Sequence, residues 1–148
     1  MHLSALLGCD LVAVEQTDEL TLLVEEMLRH DSALQLFERT AKEPVEVAGV
    51  PLAAGERIAA LLGAANRDPQ HFTDPDRFDV GRDEGAPMSF ASGIHYCLGA
   101  NLARAEGQEV FRAMRDRFRT IELTGELVQR PRTTLRGYEA VPVRVTPR

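Results

Sequence analysis

The sequence predicts an α+β fold that is mainly α. Three observations carry that reading. Residues 18–28 place Leu20, Leu23, Val24, Met27 and Leu28 at three- and four-residue steps, one apolar face of a helix. From Leu98 there is no proline until Pro131, and Ala, Leu, Arg and Glu dominate, so a longer helix begins at or just after Cys97. Between them, Val45–Leu52 alternates apolar and polar residues at first and then meets Gly and Pro, the pattern of short antiparallel strands.

The 148 residues are one domain's worth of chain, taken as a single unit over 1–148, and 44% hydrophobic content suits a globular core. A net charge of −6 argues against nucleic acid or an anionic membrane surface as a partner. No stretch reaches the length of a membrane span. Two cysteines, Cys9 and Cys97, do not make a disulfide framework.

Taken in order, residues 1–16 carry Leu3, Leu6, Leu7, Leu11 and Val12 at helical spacing, with Gly8 interrupting, and read as a short packed helix. They lack a basic start and contain Asp10, which argues against a signal peptide. Thr17-Asp18-Glu19 supplies a cap candidate and two acids for a first turn. The helix that follows carries Glu26 and Arg29, three apart and therefore side-chain neighbours. On most helices such a pair is a solvated contact worth a few tenths of a kcal/mol. His30-Asp31-Ser32 ends the helix, and residues 33–43 contain Arg39 beside Glu38. Ala53–Glu56 reads as a turn and Arg57–Leu62 as the returning strand, with Leu61–Ala65 turning helical before Asn66. Residues 66–89, rich in Pro, Asp, Asn and Arg, form a long irregular connection, uncommon in a compact domain unless it has a function. The long helix runs to about Arg119, with Leu102, Ala105, Val110, Phe111, Ala113, Met114 and Phe118 as its apolar residues. Ile121–Thr124 and Val141–Val145 read as strands.

The stretch Phe90–Arg104 carries the chemistry. Gly93 and Gly99 flank Cys97, so the backbone can turn tightly and approach a flat ligand. A thiol at a helix N-terminus sees free N–H groups and the positive end of the dipole; both favour thiolate, the metal-binding form. The plain alternative is a buried free cysteine on an ordinary loop. Zinc is a weaker alternative: Cys97 and His95 are two apart, and His2, His30, His71 and Cys9 offer no second ligand pair of suitable spacing.

Phe90, Gly93, His95, Cys97, Gly99, Leu102, Ala103 and Arg104 together resemble the haem-binding loop of cytochrome P-450, the haem-thiolate monooxygenases. The resemblance implies haem b as cofactor, Cys97 as the axial iron ligand, Phe90 beside the sulfur and His95 on a haem propionate. It implies that Glu26 and Arg29 form a buried Glu-x-x-Arg clamp joined by Arg77 from the segment Phe72–Phe78, and that Arg39 reaches a second propionate contact, suited by its fork-shaped guanidinium. It makes the chain the C-terminal portion of that fold: Glu-x-x-Arg helix, small antiparallel sheet, meander, cysteine loop and long helix. The distal half is missing, including any Ala/Gly-Gly-x-Asp/Glu-Thr motif, so no catalytic residue is assigned and poor turnover is expected of the chain alone. The implied partners are a ferredoxin or reductase as electron donor and a chain supplying the distal half. The basic residues Arg104, Arg112, Arg115, Arg117 and Arg119 offer a landing face for an acidic redox partner, or a solvated helix face. With Cys97 on iron, Cys9 is free, which fits a reducing cytoplasm. The alternative function is a noncatalytic haem-binding or electron-transfer module, or a remnant that needs a partner chain.

Overall fold

A computed structural model describes residues 17–148; the helix expected within 1–16 lies outside the described residues. The first helix, α1, spans Thr17–His30. Its apolar stripe is buried: Leu20, Leu23, Val24 and Met27 form one cluster with Phe111, and Leu28, Phe78, Val80 and Met114 pack around it. Each such side chain, taken out of water, contributes about 1.5–3 kcal/mol. Phe111 belongs to α3, Ala100–Arg117, the long helix. The two helices approach closely at Gly107, where an added Cβ would lie 3.1 Å from Val24 Cγ2.

The expected pairing of strands is corrected. Val45–Leu52 does not form one limb that returns through Arg57. It folds on itself, β2 (Val45–Val47) against β3 (Val50–Leu52), because Ala48 at φ 50° and Gly49 at φ 80° make the two-residue turn whose twist suits a hairpin. Strand β4 (Arg57–Ala60) instead pairs antiparallel with β1, Phe37–Thr40, a strand the sequence reading left without structure. After the short helix α2 (Leu62–Ala65) the chain runs through 66–87 without regular elements, then two single-turn 3₁₀ helices, Met88–Phe90 and Gly93–His95, deliver Cys97 to α3. The helix begins at Ala100, not at the cysteine, and ends at Arg117; β5 (Phe118–Leu123) follows at once. Strand β5 pairs with β8 (Val143–Pro147), and β6 (Val128–Gln129) with β7 (Tyr138–Ala140), which completes four two-stranded sheets among the described residues.

The exposed side of α3 departs from expectation. Leu102 and Val110 are exposed, as are Ala105 and Ala113; only Phe111 and Ala100 are fully buried. Ile94, Leu98, Leu61 and Leu135 add to an apolar surface in contact with solvent.

Candidate functional site

Cys97 is a free, exposed thiol. Its position is fixed through the backbone: the Cys97 N–H donates to Phe90 O at 3.0 Å, and the Cys97 carbonyl accepts from Ala100 N at 3.2 Å as α3 begins. Between those two anchors the chain makes its tight turn at Gly93, whose φ of 60° is the left-handed region open to glycine, with nothing within 4 Å of where a Cβ would stand. Gly99 is different. Its φ is −84°, so it needs no glycine for conformation; a Cβ there would meet the Cys97 sulfur at 3.9 Å, an ordinary contact. Ala91 takes φ 58°, ψ −160°, a conformation that costs a non-glycine residue about 1–3 kcal/mol. Phe90 lies under the Arg104 guanidinium, 4.8 Å from centroid to carbon.

Behind the loop, Glu26 and Arg29 form the expected buried pair, at 3% and 2% side-chain exposure. Arg29 donates from Nε to Glu26 Oε2 at 2.6 Å and from Nη2 to Oε1 at 2.8 Å. Its remaining N–H groups go to backbone carbonyls: Asn66 at 2.9 Å, Pro75 at 2.8 Å and Arg77 at 3.0 Å. All the donors of a guanidinium are thereby used. Glu26 Oε1 also accepts from Asp79 N at 2.8 Å.

The third arginine is not Arg77. The Arg77 guanidinium is 70% exposed and sits 3.7 Å from Asp79; residue 77 serves the clamp only through its carbonyl. Arg82 takes the place instead, with Nε 3.5 Å from Glu26 Oε2, an ion-pair separation without hydrogen-bond geometry. It is anchored by Thr73 O at 2.7 Å and by Glu84, and the Phe72 ring lies 5.2 Å from the Arg29 guanidinium carbon and 6.0 Å from that of Arg82. The hydrogen bonds from Thr73, joined by Arg82, hold the Glu84 carboxyl down to about 2. At the end of α1, His30 Nε2 lies 3.1 Å from Asp76 O while Nδ1 is buried without a partner among the described residues, and burial pushes its pKa below the ordinary histidine value.

Residues 13–136 match the cytochrome P450 family. The chain belongs to that family. It is 42% identical over 123 residues to cytochrome P450 CYP199A2 of Rhodopseudomonas palustris, covering 83% of this chain and 30% of that one. It is 41% identical over 130 residues to the biotin biosynthesis cytochrome P450 of Bacillus subtilis, covering 87% and 33%. Among solved structures, P450BioI in complex with an acyl carrier protein superposes with a TM-score of 0.86 at 39% identity, over 98% of this chain and 37% of that one. CalO2 superposes with a TM-score of 0.88 at 36% identity, over 98% and 38%. The chain thus spans about a third of the length of the P450s it matches.

Family membership implies haem, and P450s generally draw electrons from a ferredoxin or reductase. The donor set fits haem. Among the described residues no group of three His, Cys, Asp or Glu gathers around a possible metal. Cys97 would hold the iron of a cofactor that brings its other ligands with it, whereas a zinc site needs several protein ligands. Ile94 and Leu98, fully exposed on either side of the thiol in sequence, give an apolar surface for a flat ring to cover. His95 is exposed, and so is Arg39, whose guanidinium stacks 4.1 Å from the Phe37 ring and donates to Glu38 O. The basic face of the P450 α3 is less charged than its composition suggests. Arg104 is held by Glu25 and by Tyr96 Oη at 2.8 Å, Arg112 by Glu109 and Arg115 by Asp116. Arg117 and Arg119 are exposed. No helix of the described residues is long and apolar enough to cross a membrane.

Proposed function

We propose that this chain carries the proximal, thiolate-bearing side of a haem monooxygenase that inserts one oxygen atom from O₂ into a small organic substrate. The observation that carries the reading is the exposed Cys97 thiol, fixed by the Phe90 carbonyl on one side and α3 on the other, with the φ of Gly93 shaping the turn. Cys97 is the iron ligand in this reading, Phe90 packs beside the sulfur, and His95 and Arg39 serve the propionates. Haem bound through a thiolate supplies the electron density that favours O–O cleavage. The chain's own contribution is to hold the sulfur in place and to brace the loop through Glu26, Arg29 and Arg82. Electrons come from a ferredoxin or reductase.

A second reading is favoured by the exposed apolar residues Leu61, Ile94, Leu98, Leu102 and Leu135. Monomeric proteins rarely leave large apolar patches in water. In this reading the chain acts with further polypeptide that covers these side chains, and alone it holds haem without turnover. The test of both is the reduced, CO-bound absorption spectrum of the purified chain after haem addition, with Cys97→Ala as control. A red-shifted thiolate-type Soret band lost in the variant supports the haem site. A band indifferent to Cys97, or no haem uptake, overturns it.

A further inference from the structure

Asn66 caps α2 and is completely buried; its carbonyl serves the clamp, and its side chain has no role in the site as described so far. Its side chain nonetheless meets both Ser32, just beyond the clamp helix, and the loop that leads to Cys97. Asn66 Nδ2 donates to Ser32 Oγ at 2.6 Å and to Ser89 Oγ at 2.9 Å, and Asn66 Oδ1 accepts from Met88 N at 2.7 Å. Ser32 and Ser89 are themselves buried, and both hydroxyls donate to the same Leu28 carbonyl on α1, at 2.9 and 2.6 Å. The two serine oxygens also lie 3.1 Å from each other, and each can accept one amide proton. That arrangement fixes the amide: its NH₂ faces the serines and its oxygen faces Met88. The Asn66 backbone carbonyl accepts from Arg29 Nη1.

We propose that Asn66 is the positioning residue that transmits the clamp's rigidity to the cysteine loop. The path is continuous. Arg29 holds the Asn66 carbonyl; the Asn66 amide holds Met88 N–H and Ser89 Oγ; these fix the 3₁₀ turn Met88–Phe90; and the Phe90 carbonyl receives the Cys97 N–H. The links from Arg29 to Asn66 and from Asn66 to Ser89 are hydrogen bonds in the buried interior, where a misaligned partner leaves an unsatisfied polar group; the Met88 N–H bond is partly buried, and the 3₁₀ turn joins both to the Phe90 carbonyl. Asn66 touches neither Cys97 nor anything bound to it, so it acts through the loop. A role in haem ligation rests on the haem reading above; the placement of the loop does not.

The two serines provide the control. Ser32→Ala removes one of the two hydroxyl bonds to the Leu28 carbonyl on α1 and leaves Met88, Ser89 and Phe90 held by Asn66 and by the remaining Ser89 bond. Asn66→Ala removes the arm that reaches the loop. The experiment is site-resolved amide hydrogen exchange on the purified full chain by NMR. In the natural sequence the Met88 and Cys97 amides are expected to be protected. In Asn66→Ala both should exchange at least tenfold faster relative to the α1 core amides of Leu23 and Val24. In Ser32→Ala they should accelerate no more than those amides. Equal acceleration of loop and α1 amides in both variants, or unprotected Met88 and Cys97 amides in the natural sequence, overturns the proposal. Should Asn66→Ala fail to fold, Asn66→Ser makes the same comparison, since its hydroxyl still offers a polar group to the buried serines but stops a bond short of the Oδ1 position that the Met88 N–H reaches. In haem-loaded chain the thiolate-type fraction of the reduced CO spectrum should drop in Asn66→Ala and hold in Ser32→Ala. If the natural chain takes up no haem, the haem reading fails while the exchange result still decides the role of Asn66.

Discussion

Arg29→Ala isolates what the clamp contributes. The substitution removes a guanidinium that is 2% exposed and leaves the Glu26 carboxylate, 3% exposed, without its bidentate partner. Breaking a buried pair from one side costs about 3–5 kcal/mol, because the remaining charge is desolvated and unpaired. Two features of this site adjust that figure in opposite directions. Arg82 stands 3.5 Å from Glu26 and Asp79 N–H still donates to it, which softens the loss. The carbonyls of Asn66, Pro75 and Arg77 each lose a charged donor, which deepens it. The expected cost therefore stays in the same range, a large part of the 5–15 kcal/mol or so typical of a domain. Urea unfolding followed by circular dichroism measures it. Arg77→Ala is the decisive companion. The Arg77 side chain is 70% exposed, and alanine keeps the carbonyl that the clamp uses, so the change should stay within about 0.5 kcal/mol. Arg82→Ala, which removes a guanidinium 9% exposed and hydrogen-bonded to Thr73 and Glu84, should cost about 1.5–3 kcal/mol. A loss below about 1 kcal/mol for Arg29→Ala, the scale of a solvent-exposed pair, refutes the buried-clamp account. So does a ranking in which Arg77→Ala costs as much as Arg82→Ala.

Three further outcomes follow from the loop and its surroundings. Glu84 has a folded-state pKa of about 2 against an ordinary 4.5, so its contribution is fully present above pH 4.5 and is lost as pH falls toward 2; in Glu84→Gln that limb of the melting-temperature profile should flatten. His30 is lowered from 6.5, chiefly by burial, so the unfolded chain takes up its proton first and stability begins to fall as pH drops below 6.5; above that pH the residue contributes nothing to the slope, and His30→Gln should remove the early decline. Ala91→Gly should stabilise the chain by about 1 kcal/mol, since glycine accepts φ 58°, ψ −160° without strain while conceding some chain entropy; a destabilised variant in thermal unfolding would show that the loop is not held in this conformation.

What the sequence revealed and what it concealed divide along a physical line. The α1 helix was legible because its apolar residues recur at the helical period and become the buried face. The cysteine loop was legible because several residue types at fixed spacing serve one local geometry: the φ of Gly93, the N–H of Cys97 on Phe90, the start of α3 soon after. Arg82 was not. Arg77 and Arg82 stand five apart in a segment with no period, and which guanidinium turns inward depends on how Thr73, Asp74 and Glu84 fold around it. Strand β1 was missed for a related reason: its partner β4 is remote, and three of its four residues are exposed, so no alternation marks it. Asn66 left only the signal of a polar residue ending an apolar run, the ordinary mark of a helix terminus, while its partners lie 34 and 23 residues away. The arginines of α3 show the converse error. A run of basic residues reads as a charged face, yet Arg104 is matched by Glu25 from α1, and Arg112 and Arg115 by acids on their own helix. Composition counts charges; the packing of α1 against α3 matches Arg104, the spacing along α3 matches Arg112 and Arg115, and Arg117 at the helix end and Arg119 in β5 stay exposed.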